Sequence, residues 1–426
     1  LNQCRTTKIK LCLILTKAAV HIKATHKTQH LNSEQAAVWG WARCARLEFP
    51  QIKFICIDID ENATKLDIKQ IVNAEANSLD GETEIAWRKN KRFVLRLVNN
   101  PLLKNISPFD ISIKFRGSTQ GIEIKPISEG VFISLNDINT VHCRCLACSI
   151  NFRDVLNLMG RYPGDAGMLG SDFAGVITKS TSRFKLGQRV FGIANGSLKA
   201  FCETKEDFIA PMPKGISFEE AATTPVVFCT VIASLKQIAK LQPGETILIH
   251  SCCGGVGLAA IQLAQFTGSK VVTTVGNEEK IQYLRRMGIR NISTSRNAEA
   301  FAEYMLKIGE IDVVLNALVG KYIEFSLNAL KHRGRFVEIG KNDTTSALSV
   351  LKCRKDIKYC KFALDLKMKE NSKWFCQILN TLKLNLQTGC SFPLPMLNFH
   401  AFATKIAFSK LQFGNNIGKT IIVNKI

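Results

Sequence analysis

The chain has 426 residues, 46% of them apolar and 22% charged, ordinary globular proportions that exclude wholesale disorder and suit two or three domains. Fifty-seven Lys and Arg against 35 Asp and Glu leave a formal charge of +22, which favours acidic partners or substrates without choosing among them; a general preference for Lys explains it equally well. The 15 cysteines are scattered and many sit inside apolar runs, which excludes a small disulfide scaffold and fits reduced thiols in a cytoplasmic protein, and no apolar run has the length of a membrane span.

Residues 1–100 read as one α/β region. Leu11–Thr16 (LCLILT) is a short buried strand, and Lys17 with no small-residue cleavage site after it argues against a signal peptide. Asn32-Ser33 opens a helix over Glu34–Glu48, and Ile52–Ile59 and Arg92–Val98 follow as strands. Residues 101–225 are mostly β, with short strands at Ile122–Pro126, Val131–Leu135, Val141–Cys148, Phe173–Thr178 and Arg189–Ile193 between Gly, Pro, Asn and Ser clusters. A helix is expected through Val226–Leu241. From residue 243 the rhythm becomes strand Thr246–His250, glycine turn, helix Val256–Thr267, strand Lys270–Val275, helix Glu278–Met287, then strands Asp312–Leu315 and Arg335–Ile339. That alternation predicts a doubly wound parallel sheet. The tail, 352–426, is mixed and closes on the strand Gly418–Val423. The first residue is Leu1 rather than Met, so the chain reads as part of a longer one.

The strongest local signal is TILIHSCCGGVGLAAIQLA, residues 246–264. A buried strand runs into Gly254, Gly255, Val256 and Gly257 and then a helix, the arrangement that offers backbone N–H groups and a helix N-terminus to a pyrophosphate. Cys252 stands where the first glycine of the full fingerprint would be. The second strand ends in Val275-Gly276-Asn277 without the acid that would bind a ribose hydroxyl, and Lys280 follows one turn later. A cation there suits a 2′-phosphate and hence NADPH; the plainer reading is a solvated helix lysine. Three other strand ends carry polar groups that would face the crevice: His250, Asn316 and Lys341. Each has a plainer reading, as a core histidine, a cap on the turn before Leu318 and a surface lysine near Asp343. The run His142–Cys148 holds three cysteines, but strand alternation sends Cys143 and Cys145 to one face and Cys148 to the other, so no metal is expected. Basic runs at 88–96 and 352–369 lack the pattern of a nucleic-acid reader.

Residues 151–175 (NFRDVLNLMGRYPGDAGMLGSDFAG), with HSCCGGVG, DVVLNAL and GRFVEIGK, resemble the enoyl reductase domain of modular polyketide synthases and animal-type fatty acid synthases, in the medium-chain dehydrogenase/reductase superfamily. The resemblance covers about 105–426, and residues 1–100 resemble the structural half of a ketoreductase domain, whose catalytic half is absent. It implies an N-terminal truncated α/β subdomain (1–100), a GroES-like substrate domain (101–225, completed by 352–426) and a Rossmann NADPH domain (226–351). It implies zinc-free, NADPH-dependent reduction of a trans-2-enoyl thioester on an acyl carrier protein, with hydride to Cβ and a proton to Cα. The implied proton donors and polar groups are Tyr162, Lys341 and Asp365, the last holding Lys341. The implied cofactor contacts are Asn151, Gly254, Gly255, Val256, Gly257, Lys280, Asn316 and Leu318. Other synthase domains (ketosynthase, dehydratase, the ketoreductase catalytic half) and a homodimer through the parent synthase are the implied partners, with neither nucleic acid nor membrane. The rivals are a stand-alone quinone or enone reductase and a non-catalytic scaffold. This chain departs from the family in a short basic loop over Thr178–Leu186, in Gln188 where an Asp is common, and in Cys252-Cys253, which would crowd the phosphate turn.

Overall fold

The computed structural model describes residues 9–20, 33–60, 62–78, 80–94, 108–126, 140–340, 348, 351–352, 354–414 and 416–424. Contacts divide the chain into two units, Leu1–Leu102 and Leu103–Ile426.

The first unit is a four-stranded sheet in the order β1-β2-β3-β4: β1 (Leu11–Lys17), β2 (Lys53–Ile59), β3 (Glu84–Arg88) and β4 (Lys91–Val94). The first three strands are parallel, and β4 returns antiparallel through Lys89-Asn90, both with positive φ. Helix α1 (Ser33–Glu48) links β1 to β2 and α2 (Lys65–Ala76) links β2 to β3. At the carboxyl end of β2 the buried Asp58 accepts from Thr16 Oγ1 at 2.7 Å and from the Ala19 amide at 2.9 Å, and pairs with the buried Arg88. The strand expected through Val98 is described only to Val94.

The second unit holds two main sheets. One is mostly antiparallel, in the order β11-β9-β8-β7-β19-β18 with β10 also on β7. Its strands are β7 (Thr140–Ile150), β8 (Asp172–Ile177), β9 (Arg189–Ile193), β10 (Phe201–Lys205), β11 (Ile209–Pro211), β18 (Met396–His400) and β19 (Lys419–Val423). The hairpin β5 (Phe109–Ile113) and β6 (Ile122–Pro126) stands apart as a small sheet, and the strand expected at Val131–Leu135 lies outside the described residues. A break in register between Cys145 and Ala147 re-phases β7. Cys148 therefore joins Cys143 and Cys145 in one core, against the simple alternation expected. Helix α3 (Phe152–Leu158) follows β7, and α4 (Phe218–Ala222) and α5 (Pro225–Val231) lead toward the second sheet. The helix expected over 226–241 continues as a π-helix over Ile232–Ile238 rather than one α-helix.

The second sheet is parallel, in the order β14-β13-β12-β15-β16-β17, the doubly wound Rossmann arrangement. Its strands are β12 (Thr246–Ile249), β13 (Lys270–Val275), β14 (Asn291–Thr294), β15 (Ile311–Asn316), β16 (Leu330–Glu338) and β17 (Lys358–Lys361). Helices α6 (Gly255–Thr267), α7 (Glu278–Arg286), α8 (Ala298–Ile308) and α9 (Lys321–Asn328) connect them, and α10 (Leu364–Glu370) follows β17. Both faces of these strands are covered, so they are continuously apolar, as at Ile247, Leu248 and Ile249. The tail sends β19 back beside β7, and the Gly418 amide donates to Cys253 O at 2.8 Å, which ties the closing strand to the glycine turn. No helix among the described residues is long and apolar enough to cross a membrane.

Candidate active site

A cavity of about 710 Å³ opens at the carboxyl ends of the parallel strands, with the glycine turn on one side and residues of the antiparallel sheet on the other. Gly254, Gly255, Val256 and Gly257 all line it. A Cβ on Gly257 would lie 2.3 Å from Cys252 Cα and 2.5 Å from Cys252 O, so any side chain there would drive helix and turn apart. A Cβ on Gly255 would meet Lys419 Cδ at 2.7 Å and Val227 Cγ1 at 2.9 Å. No side chain caps α6, which leaves its first N–H groups to an incoming anion. This cradle fits a dinucleotide pyrophosphate. Cys252 turns its thiol to Thr274 O at 3.4 Å, into the core, while Cys253 lines the cavity wall.

On the β13 side, Asn277 caps α7 by accepting from the Lys280 amide at 3.1 Å, so no acid stands at the strand tip. Lys280 lines the cavity and its ammonium donates to Gly414 O at 2.7 Å. Arg296, two residues beyond the end of β14, also lines it. Its Nε would be 3.0 Å from a Cβ on Gly276, so the guanidinium lies close against the strand tip. Arg296 was not foreseen; the available signal was a cation just past the strand that neighbours β13. Lys280 and Arg296 together form a cationic rim that fits a 2′-phosphate.

On the other side of the turn, Asn316 does not line the cavity. It is fully buried, accepts from the Leu318 amide at 3.2 Å, and donates from Nδ2 to Leu318 O at 2.8 Å and to Glu338 Oε2 at 2.5 Å. The expected cofactor contact is corrected: Asn316 spends its amide on the turn that places Ala317 and Leu318 in the wall. Glu338 is buried as well, and burial pushes its carboxyl up to about 7 against the pull of Asn316, the Gly340 amide and Lys361. His250 lies between Thr274 Oγ1 (3.1 Å) and Ser326 Oγ (2.9 Å). Ser326 gives its own proton to Tyr322 O, so the ring proton is assigned to Nε2. Burial holds the imidazole down to about 3, so His250, only 3% exposed, stands neutral in the cavity lining, facing the crevice as expected while hydrogen-bonded like a core histidine.

The antiparallel sheet brings up the remaining polar groups. Asn151 stands at the start of α3, where its Nδ2 donates to Asp172 Oδ2 at 2.9 Å. Lys419, on the closing strand, donates to Asn151 Oδ1 at 2.6 Å and pairs with Asp172 Oδ2 at 3.0 Å. Asp172 Oδ1 accepts from the Val226 amide at 2.6 Å. Asn151 and Lys419 line the cavity, although Lys419 is only 4% exposed. This buried cation was missed because its sequence neighbours read only as an apolar closing strand. Arg153 donates to Ser171 Oγ at 2.9 Å and to Ala166 O, and its Cζ lies 5.8 Å from the centre of the Tyr162 ring. It thereby pins the loop that carries Tyr162. The Tyr162 hydroxyl donates to Asp365 Oδ2 at 2.6 Å, and Asp365 is the second residue of α10. Two of the three expected catalytic residues therefore meet; the third, Lys341, lies outside the described residues. Among the described residues no group of three His, Cys, Asp or Glu is placed to hold a metal.

Residues 1–97 match the family described as the Rossmann fold domain of the polyketide synthase extender module SpnB, and residues 255–369 match the zinc-binding dehydrogenase family. The chain is 30% identical over 434 residues to the spectinabilin polyketide synthase system protein NorB of Streptomyces orinoci, covering 99% of this chain and 19% of that protein. Among solved structures it resembles the CurK enoyl reductase (31% identity, TM-score 0.68) and the CurF ER cyclopropanase of the curacin A pathway (30% identity, TM-score 0.70). Each match covers 74% of this chain and 99% of the other. The chain spans about a fifth of the length of the curated relatives it matches.

Proposed function

This chain belongs to the enoyl reductase family of polyketide synthases, oxidoreductases of the medium-chain dehydrogenase/reductase superfamily, and from that premise we propose that it reduces a trans-2-enoyl thioester carried by an acyl carrier protein, using NADPH. The observation that supports the reading is the meeting, at one cavity, of the uncapped N-terminus of α6 and Asp365, the carboxylate that accepts from the Tyr162 hydroxyl.

The N-terminus of α6 would hold the pyrophosphate, and Lys280 with Arg296 the 2′-phosphate. The cofactor, when bound, supplies the hydride that adds to Cβ of the thioester. This chain's residues supply the rest. We assign proton delivery at Cα to Tyr162 Oη; its O–H donates to Asp365 Oδ2, which holds the phenol, and that bond must give way as the proton passes to Cα. Loss of that proton would leave a phenolate beside a carboxylate, and the Arg153 guanidinium beside the ring offsets this charge. Apolar walls from Phe362, Leu364, Met368 and Leu411 exclude water from the reacting carbons. The match of residues 1–97 to a synthase domain favours a synthase setting over a free-standing quinone or enone reductase, with the carrier protein and neighbouring synthase domains as partners.

The test is NADPH oxidation by the purified chain with a crotonyl thioester, with the product identified as the saturated acyl thioester. Protein that binds NADPH yet reduces no enoyl thioester would sink the reading in favour of a scaffold.

A further inference from the structure

We propose that Glu338 is a positioning residue whose ionised carboxylate sets the nicotinamide end of the cavity, so that cofactor affinity falls as Glu338 takes up a proton. The inference rests on the NADPH reading above and adds a residue to it.

Strand order decides which end is which. Relative to the turn after β12, strands β13 and β14 lie to one side and β15 and β16 to the other. Lys280 and Arg296 stand on the first side, with the 2′-phosphate, so the nicotinamide half falls beside the ends of β15 and β16. The walls there are Ala317, Leu318, Ile339 and Gly340, which belong to two separate turns. One carboxylate joins them. Glu338 Oε1 accepts from the Gly340 amide at 2.6 Å, and Oε2 accepts from Asn316 Nδ2 at 2.5 Å. Asn316 passes the constraint to Leu318 through both of its side-chain atoms. The β16 turn rests directly on the carboxylate, since a Cβ on Gly340 would lie 2.7 Å from Oε1.

Both partners are donors. An ionised carboxylate answers both with acceptor oxygens, whereas the acid turns one oxygen into a competing donor. The group is buried, and its carboxyl is pushed up to about 7, so this exchange falls within the working pH range. Lys361 on β17 favours the ionised form. Tyr359, also on β17, has a buried hydroxyl with no hydrogen-bond partner among the described residues, and burial together with Glu338 raises it to about 12, so it stays protonated throughout. Asn316, facing from β15, does not titrate.

The experiment measures dissociation constants of the whole chain for NADPH and NADH between about pH 6 and pH 8.5. The 2′-phosphate itself titrates near pH 6, so for NADPH the readout is the ratio between Glu338→Gln and wild type at each pH. The amide matches the neutral acid in size and cannot ionise. The expected ratio is about tenfold at the alkaline end and near one at the acid end. A ratio that is constant with pH, whether large or unity, overturns the proposal, because a purely structural role would not follow protonation. Wild-type protein with NADH, which lacks the 2′-phosphate, gives a check that needs no variant: affinity should weaken on acidification with a midpoint near 7, and a flat profile overturns the proposal. Either failure leaves NADPH binding by the wild type intact and so is separable from failure of the functional reading.

Discussion

Tyr162 and Asp365 stand 203 positions apart in the chain, yet the phenol of one donates to the carboxylate of the other at 2.6 Å. The bond joins the loop after α3 to the start of α10, elements on opposite sides of the parallel sheet in sequence. The bond docks the Tyr162 loop onto Asp365, a residue of the cavity lining, so it reports that loop and helix are assembled.

If that pair delivers and directs a proton, Tyr162→Phe should lower kcat with a crotonyl thioester by about 10²-fold, within the range of lost general acid catalysis, while leaving the NADPH dissociation constant within about twofold. Asp365→Asn should lower kcat less, because the amide still accepts from the phenol through its oxygen. Steady-state kinetics with cofactor titration separates these outcomes. An unchanged kcat in Tyr162→Phe would remove the phenol from the chemistry.

On the proposed reading, cofactor choice depends on the cations around Gly276. Arg296→Ala should weaken NADPH by about 10- to 100-fold, the ~1.5–3 kcal/mol of a charge-assisted hydrogen bond, and should leave NADH nearly unaffected. Lys280→Ala should act in the same direction and more weakly, since its ammonium is already shared with Gly414 O. Equal losses for the two cofactors would place both cations away from the 2′-phosphate.

The parallel sheet was legible because its strands are short, apolar and spaced by amphipathic helices, and because glycine is required wherever backbones touch, as at Gly257 against Cys252. The family resemblance also pointed to Tyr162 and Asp365, but it paired Asp365 with Lys341 and gave no sign of the bond to the phenol. Arg296 escaped because its one local signal, a cation just past β14, is weak by itself, and Lys419 because its neighbours read only as an apolar closing strand. Each becomes functional only through a partner far away in sequence, Gly276 across the strand tip for one and Asn151 and Asp172 for the other. The Cys148 assignment failed for a different reason: one extra residue in β7 shifts the two-residue period, and composition carries no trace of it.

The Lys419–Asp172 pair is almost fully enclosed, at 4% and 0% side-chain exposure. Lys419→Met should strand the Asp172 charge and cost about 3–5 kcal/mol in urea unfolding, whereas Lys419→Met combined with Asp172→Asn should recover part of that loss. Additive losses in the double variant would show that the two side chains do not interact. NADPH binding should weaken in Lys419→Met as well, because Lys419 also fixes Asn151 at the cavity wall.

Gly257→Val adds its first carbon where Cys252 Cα would be 2.3 Å away. Turn and helix must separate, and the N–H groups of α6 lose their aim. NADPH binding should be abolished while the first unit, measured by its own proteolytic resistance, is unaffected. Retention of NADPH affinity would mean that the anion is held somewhere other than this turn.

Two buried groups give stability opposite dependences on pH. Burial lowers His250 to about 3, below its unfolded value of about 6.5, so the unfolded chain binds the extra proton between those values and stability is lost as pH falls from 6.5. Glu338 is raised to about 7 from an unfolded value near 4.5, so the folded chain holds the extra proton there and stability is lost as pH rises through that window. Each contributes a slope of up to ~1.4 kcal/mol per pH unit, and between about pH 4.5 and 6.5 they oppose. His250→Gln should be less stable than wild type at neutral pH, through the lost ring packing against Phe301, but its deficit should shrink by about that slope on acidification from pH 6.5 to pH 5. Glu338→Gln should do the reverse, growing less stable relative to wild type as pH falls from 7 to 5. Urea unfolding at several pH values measures both. A His250→Gln deficit that stays constant with pH would show that the native and unfolded chains bind that proton alike, and would overturn the burial of a neutral imidazole.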